Sequence, residues 1–144
     1  MAAASAHDCV FCSIIAGDVS AHWVLDTEHV VAFLDHRPLF KGHTLVMPRA
    51  HIAILRELEG PLRDELFART QEIAAAVQDA MGAQGSFVAM NNVVSQSVPH
   101  LHVHAVPRTK GDGLRGFFWP RGRYEDDEDA AAAAAAIRGL LPPR

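Results

Sequence analysis

Residues 97–108 read "SVPHLHVHAVPR", and the alternation inside this stretch decides how the rest of the chain is read. In a β-strand, side chains two apart share a face and rise about 6.6 Å per pair. His100, His102 and His104 would then line one face, and Leu101, Val103 and Ala105 the other. Apolar residues belong on the buried side, so the three imidazoles would share a second surface. Three readings compete for it: a metal cage, a face that handles phosphate, or chance placement in a chain with nine histidines.

Working outward, "HWVLDT" (22–27) and "VVAFLD" (30–35) are short β-branched and aromatic runs separated by polar residues. "HTLVMP" (43–48) is a further strand stopped by Pro48. "SFVAMN" (86–91) and "HLHVHAV" (100–106) predict two more, joined by the polar link "NVVSQSVP" (92–99). Pro61 opens a helix that Gly82 ends, with Leu62, Leu66, Ile73, Val77 and Met81 near one face. "CVFCSIIAG" (9–17) predicts a short helical turn closed by Gly17. "YEDDEDAAAAAAAIRGLL" (124–141) predicts a second helix with acidic residues at its positive end. Strands in two runs, without regular βαβ alternation, predict an α+β class with an antiparallel sheet.

The 144 residues fit one domain with one core, with residues 1–8 flexible and 109–144 a variable C-terminal loop and helix. A net charge of −4 argues against duplex nucleic acid or anionic membrane as partners. The opening "MAAASAHDC" lacks the basic and apolar segments of a secretory signal, and the longest apolar run, Ala130–Ile137, is too short to span a bilayer. A cytoplasmic protein is expected. There, Cys9 and Cys12, spaced C-x-x-C, suggest metal binding or redox chemistry rather than a disulfide framework.

"HLHVHAV" fits His-φ-His-φ-His-φ-φ, with φ apolar, and resembles the signature of the histidine triad (HIT) superfamily of nucleotide hydrolases and transferases, near its bacterial Hint-like and Fhit-like branches. "CVFCSIIAGDV" (9–19), "VVAFLDHRPLFKGHTLVMPRAHI" (30–52), the central helix and "QSVPHLHVHAVPR" (96–108) stand in the family's order at similar spacing. The resemblance covers about Cys9 to Arg108. It implies the HIT fold, a five-stranded antiparallel sheet with a long central helix and a C-terminal helix.

The resemblance implies that His102 attacks an α-phosphate and forms a nucleotidyl-histidine that water cleaves. Neutral imidazole suits this role, with a reference pKa of about 6.5 and two easy displacements replacing one hard one. By the same resemblance His104 contacts a phosphate oxygen and delivers a proton, and His43 supports that network. Charge built at phosphorus needs donors, and Gln96 and Ser97 match positions that contact phosphate and leaving group. Asn91 matches a nucleotide contact. One departure stands out: the link from Asn91 to Gln96 is about two residues shorter than the family's and lacks the glycine before the glutamine.

Asp35 resembles the acidic residue that binds the ribose hydroxyls, and Phe11, Ile14, Phe33 and His36 fall where the base would be walled. The apolar three also fit an ordinary core, and Asp35 before a turn also fits a turn former. For the C-x-x-C pair, the resemblance adds His51 and His100 as the remaining ligands of a closed structural zinc site, four being zinc's preferred number. Otherwise both cysteines are small buried hydrophobes. No organic cofactor is expected.

"PRTKGDGLRGFFWPRGR" (107–123) mixes Arg108, Lys110, Arg115, Arg121 and Arg123 with Phe117, Phe118 and Trp119. It reads equally as a flap whose cations meet distal phosphates or as a solvated loop. The leading expectation is a homodimeric hydrolase of purine nucleotides, either nucleoside phosphoramidates or dinucleoside polyphosphates. Its rivals are a nucleotidyl transferase of the same family, a metal-dependent hydrolase with His100, His102 and His104 on one ion, and a non-catalytic nucleotide-binding regulator.

Overall fold

The computed structural model describes residues 6–115 and 121–143. The chain separates into two compact units, Met1–Asp112 and Gly113–Arg144. Within the first unit, β1 (Trp23–Asp26), β2 (Val30–Leu34), β3 (Thr44–Pro48), β4 (Gly85–Ala89) and β5 (Val103–Arg108) form one sheet. Its order is β1-β2-β3-β5-β4, with every neighbouring pair antiparallel. This is the expected α+β architecture, and it puts the histidine-bearing strand inside the sheet.

Both faces of the middle strands are covered. Val30 and Ala32 of β2, Val46 of β3, and Val103 and Ala105 of β5 pack with Leu66, Ile73 and Val77 of the long helix α2 (Gly60–Ala80). Val31 and Phe33, with Leu45 and Met47, point the other way and pack with Phe11 and Ile14 of the short helix α1 (Val10–Ile15). Two-sided burial is why "VVAF" and "LVM" read as unbroken apolar runs rather than alternating ones.

The stripe of α2 runs Leu66, Thr70, Ile73 and Val77, at helical spacings of four, three and four. Thr70 is buried because its hydroxyl donates to the Leu66 carbonyl one turn back, at 2.7 Å. Met81, expected on this stripe, instead follows the helix end, is exposed, and lies against Gly42. Pro61 sits in the first turn, where its missing N–H costs nothing. Helix α1, six residues long, is too short to persist alone and depends on what it packs against.

One boundary differs from expectation. Strand β5 begins at Val103, so His100 and His102 precede the paired ladder. The reason is local: the Leu101 N–H donates to the Ile52 carbonyl at 2.7 Å and the His100 N–H to Val98 at 2.8 Å. These bonds replace ladder bonds to β3. The alternation survives, since Leu101, Val103 and Ala105 share one core.

In the second unit, α3 (Asp127–Leu140) starts with Asp126 accepting from the Asp129 N–H at 2.8 Å, with acidic residues in its first turn and Arg138 in its last. Among the described residues, no helix is long and apolar enough to cross a membrane.

Gly42 delivers the chain into His43 at φ +98°, a left-handed backbone that favours glycine. A Cβ there would stand 2.6 Å from Met81 Cγ and 2.9 Å from its Sδ. Gly42→Ala should therefore cost about 1–3 kcal/mol of stability in urea unfolding. Adding Met81→Ala should recover the steric part and leave the backbone part.

Candidate functional site

A cavity of about 690 Å³ lies over the α1 side of the sheet, a size suited to a small ligand. Val10, Phe11 and Ile14 of α1 form one wall, with Phe33, Leu34 and Leu45 from the sheet. Asp35, Ser97, His102 and His104 supply polar groups.

The hydrogen-bond partners assign each ring its proton. A carbonyl only accepts, so His102 Nδ1, 2.7 Å from the His100 carbonyl, must carry a hydrogen. That leaves its Nε2 as a lone pair, and His102 lines the cavity. A backbone N–H only donates, so His43 Nδ1, which accepts from Leu39 N at 3.1 Å, is the bare nitrogen of that ring. His43 therefore donates from Nε2 to His104 Nδ1 at 2.9 Å, and neutral His104 keeps its hydrogen on Nε2. The result is a bare nitrogen beside an N–H donor, the rings of His102 and His104 lying 5.0 Å apart. Phe11 packs edge-on against His102 at 5.0 Å and restricts its ring.

Electrostatics keep these rings uncharged. Burial lowers the pKa of His102, opposed by its bond to the His100 carbonyl and by Asp35. Burial likewise lowers His43, with Asp35 opposing and His102 adding to the effect. His104 falls to about 4 through burial and then through His102 and His43. A neutral imidazole retains the lone pair a nucleophile needs.

The remaining expected residues divide. Asp35 does two things: its Oδ1 accepts from Arg37 N at 2.9 Å as a turn former, and its Oδ2 lies 3.7 Å from His43 Nε2. His36 lines the cavity with a mostly exposed side chain. Gln96 and Asn91 are not brought to the wall. The Gln96 amide donates to the Ala53 carbonyl at 2.7 Å and accepts from Val93 N at 3.1 Å, and Asn91 donates to the Ser95 carbonyl at 3.1 Å. The link between them holds left-handed backbone at Val93 (φ +70°) and at Ser95 (φ +60°), the residue just before Gln96. A valine held there stores strain of about 1–3 kcal/mol.

Leu45, Val10, Val19, His22 and Val98 also line the cavity and were not singled out from sequence. Leu45 was reachable, two residues from His43 on one strand face, and Val10 was reachable one helical turn before Ile14. The other three sit in irregular backbone, where no periodicity marks them. Of the Arg/aromatic segment, Phe117, Phe118 and Trp119 lie outside the described residues.

Beside the cavity, Cys9, Cys12, His51 and His100 bring ligand atoms within 4.8 Å of one another. Cys9 Sγ stands 3.6 Å and Cys12 Sγ 3.5 Å from His100 Nδ1, and Cys12 Sγ stands 3.3 Å from His51 Nδ1. Tetrahedral zinc, with Zn–S about 2.3 Å and Zn–N about 2.0 Å, requires S···N separations of about 3.5 Å. The proton inventory agrees. His100 Nε2 must donate to the Pro48 carbonyl at 2.8 Å, which turns its Nδ1 lone pair toward the sulfurs. Burial and the neighbouring Cys9 push the Cys12 thiol up to about 11, a crowding that a cation would relieve. The donor set fits zinc.

Asp35, His43 and His104 also cluster within 4.8 Å. There the His43 atom facing the cluster, Nε2, already carries a hydrogen, because Leu39 claims Nδ1. That set suits proton relay, not a cation. Nor do His100, His102 and His104 meet on one ion, since the His100 ring turns to the cysteines and His102 Nδ1 to a carbonyl.

Fold and site together define an α+β protein whose sheet presents paired imidazoles to a cavity of about 690 Å³. The HIT domain family model matches residues 16–111. The protein hit of Bacillus subtilis is 43% identical over 142 residues, covering 94% of this chain and 96% of its own. The adenosine 5'-monophosphoramidase hnt1 of Schizosaccharomyces pombe is 35% identical over 114 residues, 78% of this chain and 83% of its own. A HIT family crystal structure from B. subtilis superposes with a TM-score of 0.85 at 36% identity, covering 95% and 99% of the two chains. A zinc-bound histidine triad family protein from Mycobacterium smegmatis does so at 0.71 and 33%, covering 95% and 100%. This chain belongs to the HIT family.

The His104 shift carries a pH signature. Unfolded, the ring titrates near 6.5; folded, it stays neutral to about 4. Acid thus protonates the unfolded chain first, so this ring's contribution to stability is whole above the unfolded value and is lost as pH falls from 6.5 toward 4. The urea midpoint should decline across that window, and His104→Gln should flatten the decline.

Proposed function

We propose that the chain hydrolyses purine nucleotides at the α-phosphate through a covalent nucleotidyl-histidine on His102. The observation that carries this is the His102 Nδ1–H bond to the His100 carbonyl at 2.7 Å, which commits the opposite nitrogen to the cavity as a lone pair. Nε2 attacks phosphorus, the bond to the leaving group breaks, and the leaving group takes up the proton that His104 carries on Nε2. Water then attacks phosphorus and gives a proton back to His104, the P–N bond breaks, and His102 is regenerated.

The other groups fit this sequence. His104, with its hydrogen on Nε2 and His43 behind it, supplies a preorganised donor for charge developing on phosphate oxygen. Ser97 offers a hydroxyl at the same wall. Asp35 Oδ2 is available to ribose hydroxyls, and Phe11, Ile14 and Phe33 offer an apolar slot for the base. Gln96 holds the strained link in shape and takes its part through Ser97, next in the chain.

Two relatives carry the name adenosine 5'-monophosphoramidase, from S. pombe and Saccharomyces cerevisiae. That favours nucleoside phosphoramidates over dinucleoside polyphosphates as substrates. Zinc held by Cys9, Cys12, His51 and His100 would be structural: four protein ligands leave no position for a reacting water. We further read the active form as a cytoplasmic homodimer.

His102→Ala should lower phosphoramidase turnover by about 10⁴-fold or more while AMP still binds. Acid-quenched wild type should carry one AMP on a histidine by mass spectrometry. Unchanged turnover in the variant would sink the mechanism.

A further inference from the structure

Every polar atom of His100 is engaged. Its N–H donates to the Val98 carbonyl at 2.8 Å and its Nε2–H to Pro48 at 2.8 Å. Its Nδ1 faces the two cysteine sulfurs at 3.6 and 3.5 Å, and its carbonyl accepts from His102 at 2.7 Å. One fully buried residue is thus a metal-ligand candidate at its ring and the acceptor that sets the nucleophile's tautomer at its backbone.

The direction of that carbonyl depends on what anchors each side of its peptide. On one side is the His100 ring. On the other is Leu101, whose N–H is held by the Ile52 carbonyl at 2.7 Å, and Ile52 follows His51 directly. Both anchors therefore belong to segments that close on the Cys9, Cys12, His51 and His100 set.

We propose that His100 is a positioning residue that transmits occupancy of this site to His102. With the cation held, the carbonyl keeps the hydrogen on His102 Nδ1 and the lone pair on the cavity. Without it, ring and peptide relax and His102 exchanges between tautomers, only one of which attacks phosphorus. The metal, which touches no phosphate, then sets the rate through one carbonyl. This deepens the reading of His102 as nucleophile and rests on it.

A second route from the same site has a different signature. Phe11 stands between the two cysteines on α1, lines the cavity, and touches His102 edge-on at 5.0 Å. Loosening α1 alone would weaken the wall for the nucleoside and raise KM. Losing the tautomer would lower kcat.

The experiment compares wild type, His51→Ala and His51→Cys for zinc content, kcat and KM on adenosine 5'-phosphoramidate, and the ¹⁵N imidazole spectrum of His102. His51→Ala should lose zinc, drop kcat about 10- to 100-fold with KM shifted less than about threefold, and show mixed His102 tautomers. His51→Cys, which restores a fourth ligand as a third thiolate, should recover zinc, kcat and the single tautomer. Chelating zinc from wild type and returning it should reproduce the change reversibly on an unmutated chain, independent of how either variant folds. A zinc-free protein with wild-type kcat and an unchanged His102 spectrum overturns the proposal, as does a raised KM at constant kcat. Should wild type turn over no phosphoramidate, the hydrolase reading falls, and the nitrogen spectrum with and without zinc still decides the coupling.

Discussion

Buried ring nitrogens must be satisfied, and this constraint organises the molecule more than any single apolar contact. His43, His100 and His102 are almost fully buried, and an unpaired polar atom there would cost about 1–3 kcal/mol. Their partners come from separate parts of the chain: Leu39 and His104 for His43, Pro48 and the cysteines for His100, and the His100 carbonyl for His102. Satisfying them ties α1, the end of β3, the turn before it and the approach to β5 into one arrangement. The nitrogen left over is Nε2 of His102, a residue that lines the cavity.

Much of this was legible in the sequence because it follows from period. The pleat of residues 100–105 separates apolar from imidazole side chains whether or not the backbone joins a ladder, so the faces were readable while the start of β5 was not. That start depends on Ile52, about a third of the chain away, claiming the Leu101 N–H. Thr70 escaped notice for a related reason: a hydroxyl inside an apolar stripe looks out of place until its bond to Leu66 is seen. The link 91–96 was the least readable part. Its short length was visible, but not that Gln96 and Asn91 would spend their amides on backbone groups of a strained loop rather than on the cavity.

The cavity's electrostatics are unusual for a phosphate handler. The chain carries net charge −4, and among the described residues that line the cavity there is one acid, Asp35, and no Lys or Arg. Attraction for an anionic substrate therefore cannot come from a basic patch on this wall. The groups this wall offers instead are neutral N–H and O–H donors held in fixed directions. Asp35 opposes phosphate by its charge, yet it supports the histidine network by raising the pKa of His43, His102 and His104 against the effect of burial. A carboxylate at this distance is tolerable because one oxygen is already occupied by the Arg37 N–H.

Chemically similar histidines on one short stretch are sorted by the partner at the far nitrogen. Where that partner is a carbonyl, the ring must hand over its hydrogen there, and the near nitrogen becomes a lone pair: Nδ1, facing the cysteine sulfurs, at His100, and Nε2 at His102. Where the partner is a backbone N–H, as at His43, the near nitrogen keeps its hydrogen and passes directionality to His104. Two differently aimed lone pairs and one N–H donor thus arise from one side-chain type without any charge being installed. Exchanging a carbonyl for an N–H at any of these far positions would exchange the roles. The backbone conformations at Leu39, Pro48 and His100 are therefore as much part of the site as the rings they face.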